Sequence, residues 1–414
     1  MGTADRRYSP GGTCRGGFTN PPLQAVPAVV GSRARRRCYL TDPPEHVTGE
    51  PPVLLACGMM QRPLDSQTLE TGSMTEHFWL GMAVALAGGT LNGSFAVPMK
   101  YCRKWRWENI WLVFTFTSLL ALPVLMAAGF VPHLREVYAA VSNRTLLLPL
   151  AFGFLWGIAQ TTFGLGIQAV GMALAFAVVS GLACLSGSLV PLLVLSPDDL
   201  LRPRGVLLLI SIPILLLGLA LYGRAGRRRE REQSAPAASG AAARSFVSGL
   251  AICIFTGVFG SNFNLGFAFS GNIPQKALAH GAGPLTATYA VWAVVLGAAF
   301  VPNLLYCLYL LVRNRTWPQF VAEGSARDAL LSVAMGVLWL SGILVYGMGA
   351  TLVGRYGTSV GYTLFVAASI LSANLMGILT GEWRATSHAT RKLLALGLAV
   401  ILVSVVVLNL GGMF

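Results

Sequence analysis

The chain has 414 residues, of which 54% are hydrophobic and only 11% charged, and its formal net charge is +14 at pH 7. Soluble domains carry about 25% charged residues, so this composition excludes an ordinary soluble globular protein. The apolar residues fall in blocks of roughly 20, the length with which a helix crosses the hydrocarbon core of a bilayer. We therefore predict an all-α integral membrane protein.

Residues 1–73 precede the first apolar block and are rich in Pro, Gly and Arg, with no helical or strand period. A basic run in this region, RARRR from Arg33, is typical of a disordered tail, although such runs also bind nucleic acids or lipids. Met74 stands directly before the first block. The segment 1–73 is thus expected to be a disordered tail or to lie upstream of the native start.

Ten apolar blocks follow residue 77, and short loops connect them, so no separate soluble domain is expected. Their approximate ranges are 78–99, 108–130, 146–170, 172–196, 205–223, 246–268, 286–311, 329–352, 357–379 and 392–411. The longest connection, 224–245, is basic and then rich in Ala and Ser, a composition typical of a flexible linker. The predicted organisation is a first half over 74–223, a cytoplasmic linker over 224–245 and a second half over 246–414.

The charges of the loops predict the orientation in the membrane. Most Lys and Arg residues after residue 77 lie in the loops that follow the first, fifth, seventh and ninth blocks. Positive residues stay preferentially on the cytoplasmic side, so these loops are predicted to be cytoplasmic and both termini periplasmic. The positive net charge follows from this topology and does not indicate a nucleic-acid partner.

One glycine-spaced, tryptophan-bearing pattern occurs twice. GFLWGIAQTTFGLGIQAVG begins at Gly153 in the third block, and GVLWLSGILVYGMGATLVG begins at Gly336 in the eighth. A unit that recurs after five spans returns upside down, which predicts ten transmembrane helices as an inverted 5+5 repeat, the plan of many transporters. The shared glycines are candidates for close helix packing, with or without a gating role. They are Gly164, Gly166, Gly347 and Gly349.

No Asp, Glu, Lys or Arg lies in the middle of a block, so a neutral, hydroxyl-rich substrate fits better than a charged one. The candidate binding residues are uncharged side chains that donate or accept hydrogen bonds, together with aromatic side chains that pack against the C–H faces of a sugar. These are Asn92, Trp156, Gln160, Asn262, Asn264, Trp339, Tyr346 and Asn374. Hydrogen bonds between helices, or aromatic anchors at the membrane interface, are the alternative roles for these side chains.

Catalytic chemistry has no visible basis in this sequence. No cluster of His, Glu and Asp occurs within the blocks, and neither an H-E-x-x-H motif nor a phosphate-binding glycine loop is present. The seven cysteines do not suggest a disulfide framework. We predict a protein that is not an enzyme and that has no catalytic residue, bound metal or cofactor. Its oligomeric state is left open.

Four stretches resemble the L-rhamnose/proton symporter family within the drug/metabolite transporter superfamily. They are FAVPMKYCRKWRWENIW from Phe95, WGIAQTTFGLGIQAVGM from Trp156, GVFGSNFNLGFAFS from Gly257 and ILTGEW from Ile378. The resemblance covers about residues 78–412 and implies uptake of L-rhamnose or a related monosaccharide with a proton across a bacterial inner membrane. It departs from the family at GRYGTSVGYT, from Gly354, which has no acid where the family carries an Asp.

Two acids, Glu108 and Glu382, match acids in the family pattern, so the resemblance makes them candidates for proton coupling. Both stand in basic surroundings, KWRWE and GEWR, which also fit a salt bridge near the cytoplasmic face. Relatives in the superfamily also export metabolites or amino acids, and this direction of transport stays open. A membrane enzyme that acts on a lipid-linked substrate is a remote alternative.

Overall fold

The computed structural model describes residues 71–195, 197–233, 239–284, 286–353 and 360–410, and none of these residues is in a β-strand. The predicted tail, 1–73, lies almost entirely outside the described residues, as does the Gly354–Ser359 part of the segment that departs from the family pattern. Long helices alternate with short turns throughout the described ranges.

Thirteen α-helices make up the described part of the chain. They are α1 Thr71–Ser94, α2 Trp107–Phe130, α3 Leu134–Ala139, α4 Asn143–Val170, α5 Met172–Leu195, α6 Pro203–Gln233, α7 Ser239–Phe259, α8 Asn262–Ala268, α9 Ile273–Ala279, α10 Tyr289–Asn314, α11 Ser325–Val353, α12 Tyr362–Leu379 and α13 His388–Leu410. Within α2, residues Phe116–Ala121 form a π-helical segment.

Eight of the helices in these ranges are long and apolar enough to cross a membrane, and two shorter apolar helical stretches span Met172–Gly187 in α5 and Phe246–Phe259 in α7. Each of these ten helices overlaps one predicted block. Many large apolar side chains on them are exposed, for example those of Leu217, Val312 and Leu330. Such surfaces are expected where helices face lipid, so the chain is a multi-pass membrane protein.

The segment expected to be a flexible linker is largely helical where it is described. Helix α6 continues through the RRRERE run to Gln233, and α7 already begins at Ser239. Arg and Glu are good helix formers, and Arg229 fixes the extension: its Nη2 donates to the carbonyl of Val170 at 2.9 Å, and its guanidinium lies over the Trp383 ring. The composition that indicates a linker here belongs to a helix that is anchored by one buried arginine.

The sixth predicted span is interrupted rather than continuous. Helix α7 ends at Phe259, and the short helix α8 starts at Asn262. Asn262 Nδ2 donates to the carbonyl of Phe259 at 2.8 Å, so its side chain satisfies a backbone group that the break leaves without a helical partner.

Helices α1 and α11 pack antiparallel with their backbones almost in contact. A Cβ placed on Gly88 would lie 2.7 Å from the carbonyl oxygen of Gly342, and one on Gly349 would lie 2.8 Å from that of Gly81. Seven residues separate the glycines on each helix, so both contacts fall on one face. Small residues permit such close approach between membrane helices.

The remaining long helices pair in a regular way. Helix α12 packs on α1, α4 packs on α7 and α10, α5 packs on α7 and α12, and α13 packs on α6. Helix α2 contacts α10 and α11. These pairs position α1, α4, α5, α7, α10, α11 and α12 around one interior cavity.

Adding a methyl group at the α1–α11 contact should destabilise the protein. Gly349→Ala places a Cβ 2.6 Å from the backbone nitrogen of Ala85, and such overpacking costs about 1–3 kcal/mol. We expect the variant purified in detergent to melt at a lower temperature than the wild type. Gly297→Ala is the matched control, because nothing lies within 4 Å of its added Cβ. Equal melting temperatures for the wild type and both variants would contradict a tight α1–α11 contact.

Candidate functional site

A cavity of about 320 Å³ lies between the helices that surround the centre of the bundle. Ligand pockets range from about 300 to 1,000 Å³, so this volume suits a small solute. Ten aromatic side chains line the cavity: Trp156, Phe163, Phe176, Phe263, Phe267, Trp292, Trp339, Tyr346, Tyr362 and Phe365. Among the described side chains that line it there is no acid and no base.

Six polar side chains also line the cavity: Asn92, Gln160, Ser180, Thr256, Thr288 and Ser369. Thr256 and Ser369 donate to carbonyls of their own helices. Gln160 differs: it is 4% exposed, and its Nε2 is buried without a hydrogen-bond partner in the described structure. An unpaired amide donor in an apolar interior is costly, and the Gln160 side chain borders the cavity rather than another described polar group.

Two tryptophans from different helices stand together at the wall. The ring centroids of Trp156 and Trp339 are 5.9 Å apart, and Phe263 lies 4.9 Å from Trp156. On the other side, Tyr346 packs against Phe365 with centroids 4.6 Å apart. The cavity thus combines extended ring faces with a few amide and hydroxyl groups.

The structure brings together five of the residues predicted to bind substrate. Asn92, Trp156, Gln160, Trp339 and Tyr346 all line the cavity, although they lie on three helices and far apart in sequence.

Two other predicted residues lie outside the cavity lining. Asn262 is occupied at the end of α7, as described above, and Asn374 forms an interhelical contact. The Asn374 Oδ1 accepts a hydrogen bond from Tyr222 on α6, and its Nδ2 donates to the carbonyl of Ile370 at 2.8 Å. Both asparagines satisfy their amides within the protein. Asn264 belongs to α8, and its side chain lies outside the described residues.

The four repeated glycines have different neighbours. Gly347 lines the cavity, whereas Gly349 packs on α1. A Cβ on Gly164 would meet the Trp111 ring at 2.6 Å, and one on Gly166 would meet the Cys253 sulfur at 2.8 Å. Close packing thus accounts for three of them, while Gly347 leaves room in the cavity.

The sequence did not predict that phenylalanines line the cavity. Two of them, Phe163 and Phe176, belong with Phe95 and Phe114 to what we call the aromatic cluster. Phe95 and Phe114 stack with ring centroids 5.1 Å apart, and the centroids of Phe163 and Phe176 are 5.2 Å apart. Phe95 contacts both members of the second pair. A phenylalanine in an apolar helix carries no sequence signal that separates a cavity wall from a lipid-facing position.

The aromatic cluster lies between the cavity and one end of the bundle. This end is formed by residues 98–106, 315–324 and 380–387, and we call it the basic end. Along α1 and the turn after it, the order is Asn92 in the cavity, Phe95 in the cluster and Lys100 at the basic end. Along α5 the same order runs in reverse, from Met172 at the basic end through Phe176 to Ser180 in the cavity. The cavity is therefore closed toward the basic end.

At the basic end, Glu382 joins three parts of the chain. Its carboxylate forms a salt bridge with Lys100, and it accepts hydrogen bonds from the backbone N–H groups of Met172 at 2.9 Å and Ala173 at 3.3 Å. The latter two groups begin α5, where the helix dipole also favours a negative charge. We call the contact between Glu382, Lys100 and the start of α5 the Glu382 bridge.

Glu108, the second predicted acid, has neutral partners rather than the salt bridge that its basic sequence surroundings favour. Its Oε1 accepts from Asn314 Nδ2 at 3.0 Å and from Thr316 Oγ1 at 2.9 Å. It lines a separate cleft of about 430 Å³, here called the Glu108 cleft. The cleft is lined by Arg106, Trp107, Glu108, Leu165, Gln168, Tyr306, Leu310 and Asn314.

In the described ranges, no group of three or more His, Cys, Asp or Glu residues could hold a metal ion. Among the described residues, the arrangement is a cavity with an uncharged lining and one closed end, which can bind a solute.

Comparison with known proteins connects this chamber to transport. The model of the family described as "L-rhamnose-proton symport protein (RhaT)" matches residues 74–413. Similar proteins include the L-rhamnose-proton symporters of Escherichia coli O1:K1 / APEC, 24% identical, and Cronobacter sakazakii (strain ATCC BAA-894), 26% identical. Each alignment spans 345 residues, which is 82% of this chain and 99% of the relative.

The L-rhamnose-proton symporter of Shigella sonnei (strain Ss046) is 24% identical over the same shares. No solved structure matches the chain. The relatives are named as symporters, in agreement with the prediction that this protein is not an enzyme. Because the family model covers most of the sequence and nearly all of the described helices, the chain belongs to the L-rhamnose-proton symport protein family.

Proposed function

We propose that the protein takes up a neutral monosaccharide, L-rhamnose or a close relative, together with a proton across a bacterial inner membrane. The observation that carries this proposal is the uncharged aromatic cavity with the unpartnered Gln160 amide at its wall. Ring faces such as those of Trp156 and Trp339 pack against sugar C–H groups, and the amides of Asn92 and Gln160 bind hydroxyls. The names of the relatives support symport rather than export.

Transport requires that the cavity open alternately to the two sides of the membrane. In the described structure, the aromatic cluster and the Glu382 bridge close it toward the basic end. At its other extreme it reaches Thr288 and Trp292 at the start of α10. The positive charges of the basic end support a cytoplasmic location for it. The structure then corresponds to a state whose cavity is closed to the cytoplasm.

The two halves of the chain are proposed to form an inverted 5+5 repeat. Helix pairings support this arrangement, because several contacts occur twice with the halves exchanged. The third and eighth apolar helices, α4 and α11, pack on α7 and α1, the sixth and first. The fourth and ninth, α5 and α12, pack on the same two helices. Two such halves can rock against each other around a central site.

Coupling to the proton is proposed to run through Glu382 rather than Glu108. Protonation would remove the charge to which Lys100 and the start of α5 are bound, and would weaken the contact that closes the basic end. The released end could then open with the sugar bound. Glu108 lacks such a position, because its partners Asn314 and Thr316 are neutral and lie outside the closing contact.

Uptake of labelled L-rhamnose into transport-deficient cells tests the substrate and the site. Expression of the chain should stimulate uptake over the vector control, and Gln160→Leu should raise the KM roughly tenfold or more, because one hydrogen bond to the sugar is lost. Thr161→Val is the matched control on the same helix, since the Thr161 hydroxyl donates to the Gly157 carbonyl and does not line the cavity. Absence of uptake by the wild type would exclude rhamnose, and equal KM values would remove Gln160 from the site.

Replacing Glu382 should separate binding from proton coupling. In Glu382→Gln the side chain keeps its size but carries no charge, so we expect loss of accumulation against a gradient while exchange of labelled for unlabelled sugar continues. Glu136→Gln, an exposed acid on α3, should accumulate sugar normally. Wild-type accumulation by the Glu382 variant in membranes with a proton gradient would show that another group carries the proton.

Cysteine labelling of intact cells tests the inverted plan. Asp198→Cys lies in the loop after the fourth apolar helix and Arg384→Cys in the loop after the ninth, and both positions are exposed. We expect a membrane-impermeant maleimide to label only the first. The chain without an added cysteine is the negative control. Its Cys102 is partly exposed, but burial and the nearby Asp328 raise the pKa of this thiol to about 11, so it reacts slowly with maleimide. Labelling of both positions from one side would contradict inverted halves.

A further inference from the structure

The Glu108 cleft lies apart from the sugar cavity, and two polar atoms of its wall have no described hydrogen-bond partner. Trp107 is 7% exposed, and its Nε1–H is buried without an acceptor in the described structure. Glu108 is 4% exposed, and both of its hydrogen bonds end on Oε1, so no described donor occupies Oε2. A buried indole N–H beside a carboxylate oxygen that accepts no described hydrogen bond points to a ligand that both accepts and donates hydrogen bonds.

The position of the cleft places it at the level of lipid headgroups. Trp107 is the first residue of α2 and Asn314 the last of α10, and both helices are candidate membrane spans. Trp and Tyr concentrate at this depth, and Tyr306 is a further member of the wall. The partly exposed apolar side chains of Leu165 and Leu310 also line the cleft and offer a surface for acyl chains.

The charges of the cleft are complementary to a zwitterion. Arg106 contributes a positive charge at its rim, and Glu108 contributes a negative charge at its base. The nearby Arg313 is turned to another partner, since its Nη1 donates to the Tyr309 hydroxyl at 2.8 Å. A purely anionic headgroup would meet the Glu108 carboxylate, and a quaternary ammonium could not donate a hydrogen bond to it.

We propose that the Glu108 cleft binds the headgroup of a phospholipid with a primary ammonium, of the phosphatidylethanolamine class. The ammonium donates to Glu108 Oε2, and the phosphate accepts from Arg106 and from the Trp107 indole. The lipid lies between α2, α4 and α10 and stabilises their contact at the basic end. This site is independent of the proposed transport function, because neither the sugar nor the proton pathway uses its side chains.

Lipid binding to the full chain, purified in a neutral maltoside detergent, tests the proposal by native mass spectrometry and thermal shift. The probes are phosphatidylethanolamine, phosphatidylcholine and phosphatidylglycerol with identical acyl chains. Phosphatidylethanolamine should bind about tenfold more tightly than phosphatidylcholine, the change expected for one hydrogen bond to a charged group. Glu108→Gln should abolish this preference, while Glu136→Gln should retain it.

Trp107→Phe keeps most of the ring but removes the N–H, and it should weaken phosphatidylethanolamine binding several-fold. This variant also decides the matter if Glu108→Gln does not yield folded protein. Equal affinities for the three lipids, or a preference for phosphatidylglycerol, would overturn the proposal. A phosphatidylethanolamine preference that survives both substitutions would overturn it as well.

Discussion

The cost of an unpaired polar group inside an apolar bundle governs this structure. Each amide buried among the helices must find a partner or face a space that a solute can enter. Asn303 is fully buried and solves the problem internally: its Oδ1 accepts from the Trp111 indole, and its Nδ2 donates to the Gly157 carbonyl, each at 3.0 Å. Gln160 lies one turn after Gly157 on α4, and its Nε2 is unpaired beside the cavity. The contrast between these two amides separates a residue that links helices from one that the proposed function assigns to sugar binding.

Much of the fold follows from composition, because a membrane-spanning helix needs an apolar length that few other structures need. All ten apolar helices in the described ranges overlap predicted blocks. The nature of the 224–245 segment could not be predicted, since the burial of Arg229 against Trp383 and the Val170 carbonyl depends on distant parts of the chain. The break before α8 also escapes a hydropathy pattern, which averages over the two residues where the helix stops.

The candidate site was partly predictable from the repeated sequence pattern. Trp156 and Trp339 occupy equivalent places in a repeated pattern, and that repetition distinguishes them from other aromatic residues. Asn374 is polar at similar depth, yet it faces Tyr222 rather than the cavity. In a helix that is apolar on all sides, periodicity does not reveal which face meets the interior. For the same reason, the sequence did not identify Phe163 and Phe176 as cavity-lining residues.

The turn between α4 and α5 consists of Gly171 alone, which has a φ of 88° and lies against the Glu382 carboxylate. A connection of one residue has too little slack to let two helices slide independently. Helix α4 carries Gln160 and α5 carries Phe176, so both of these cavity-lining residues belong to helices that meet at the Glu382 carboxylate. Under the proposed coupling through Glu382, a change at that carboxylate would therefore act on both helices at once, and one of them carries Gln160 some three turns away.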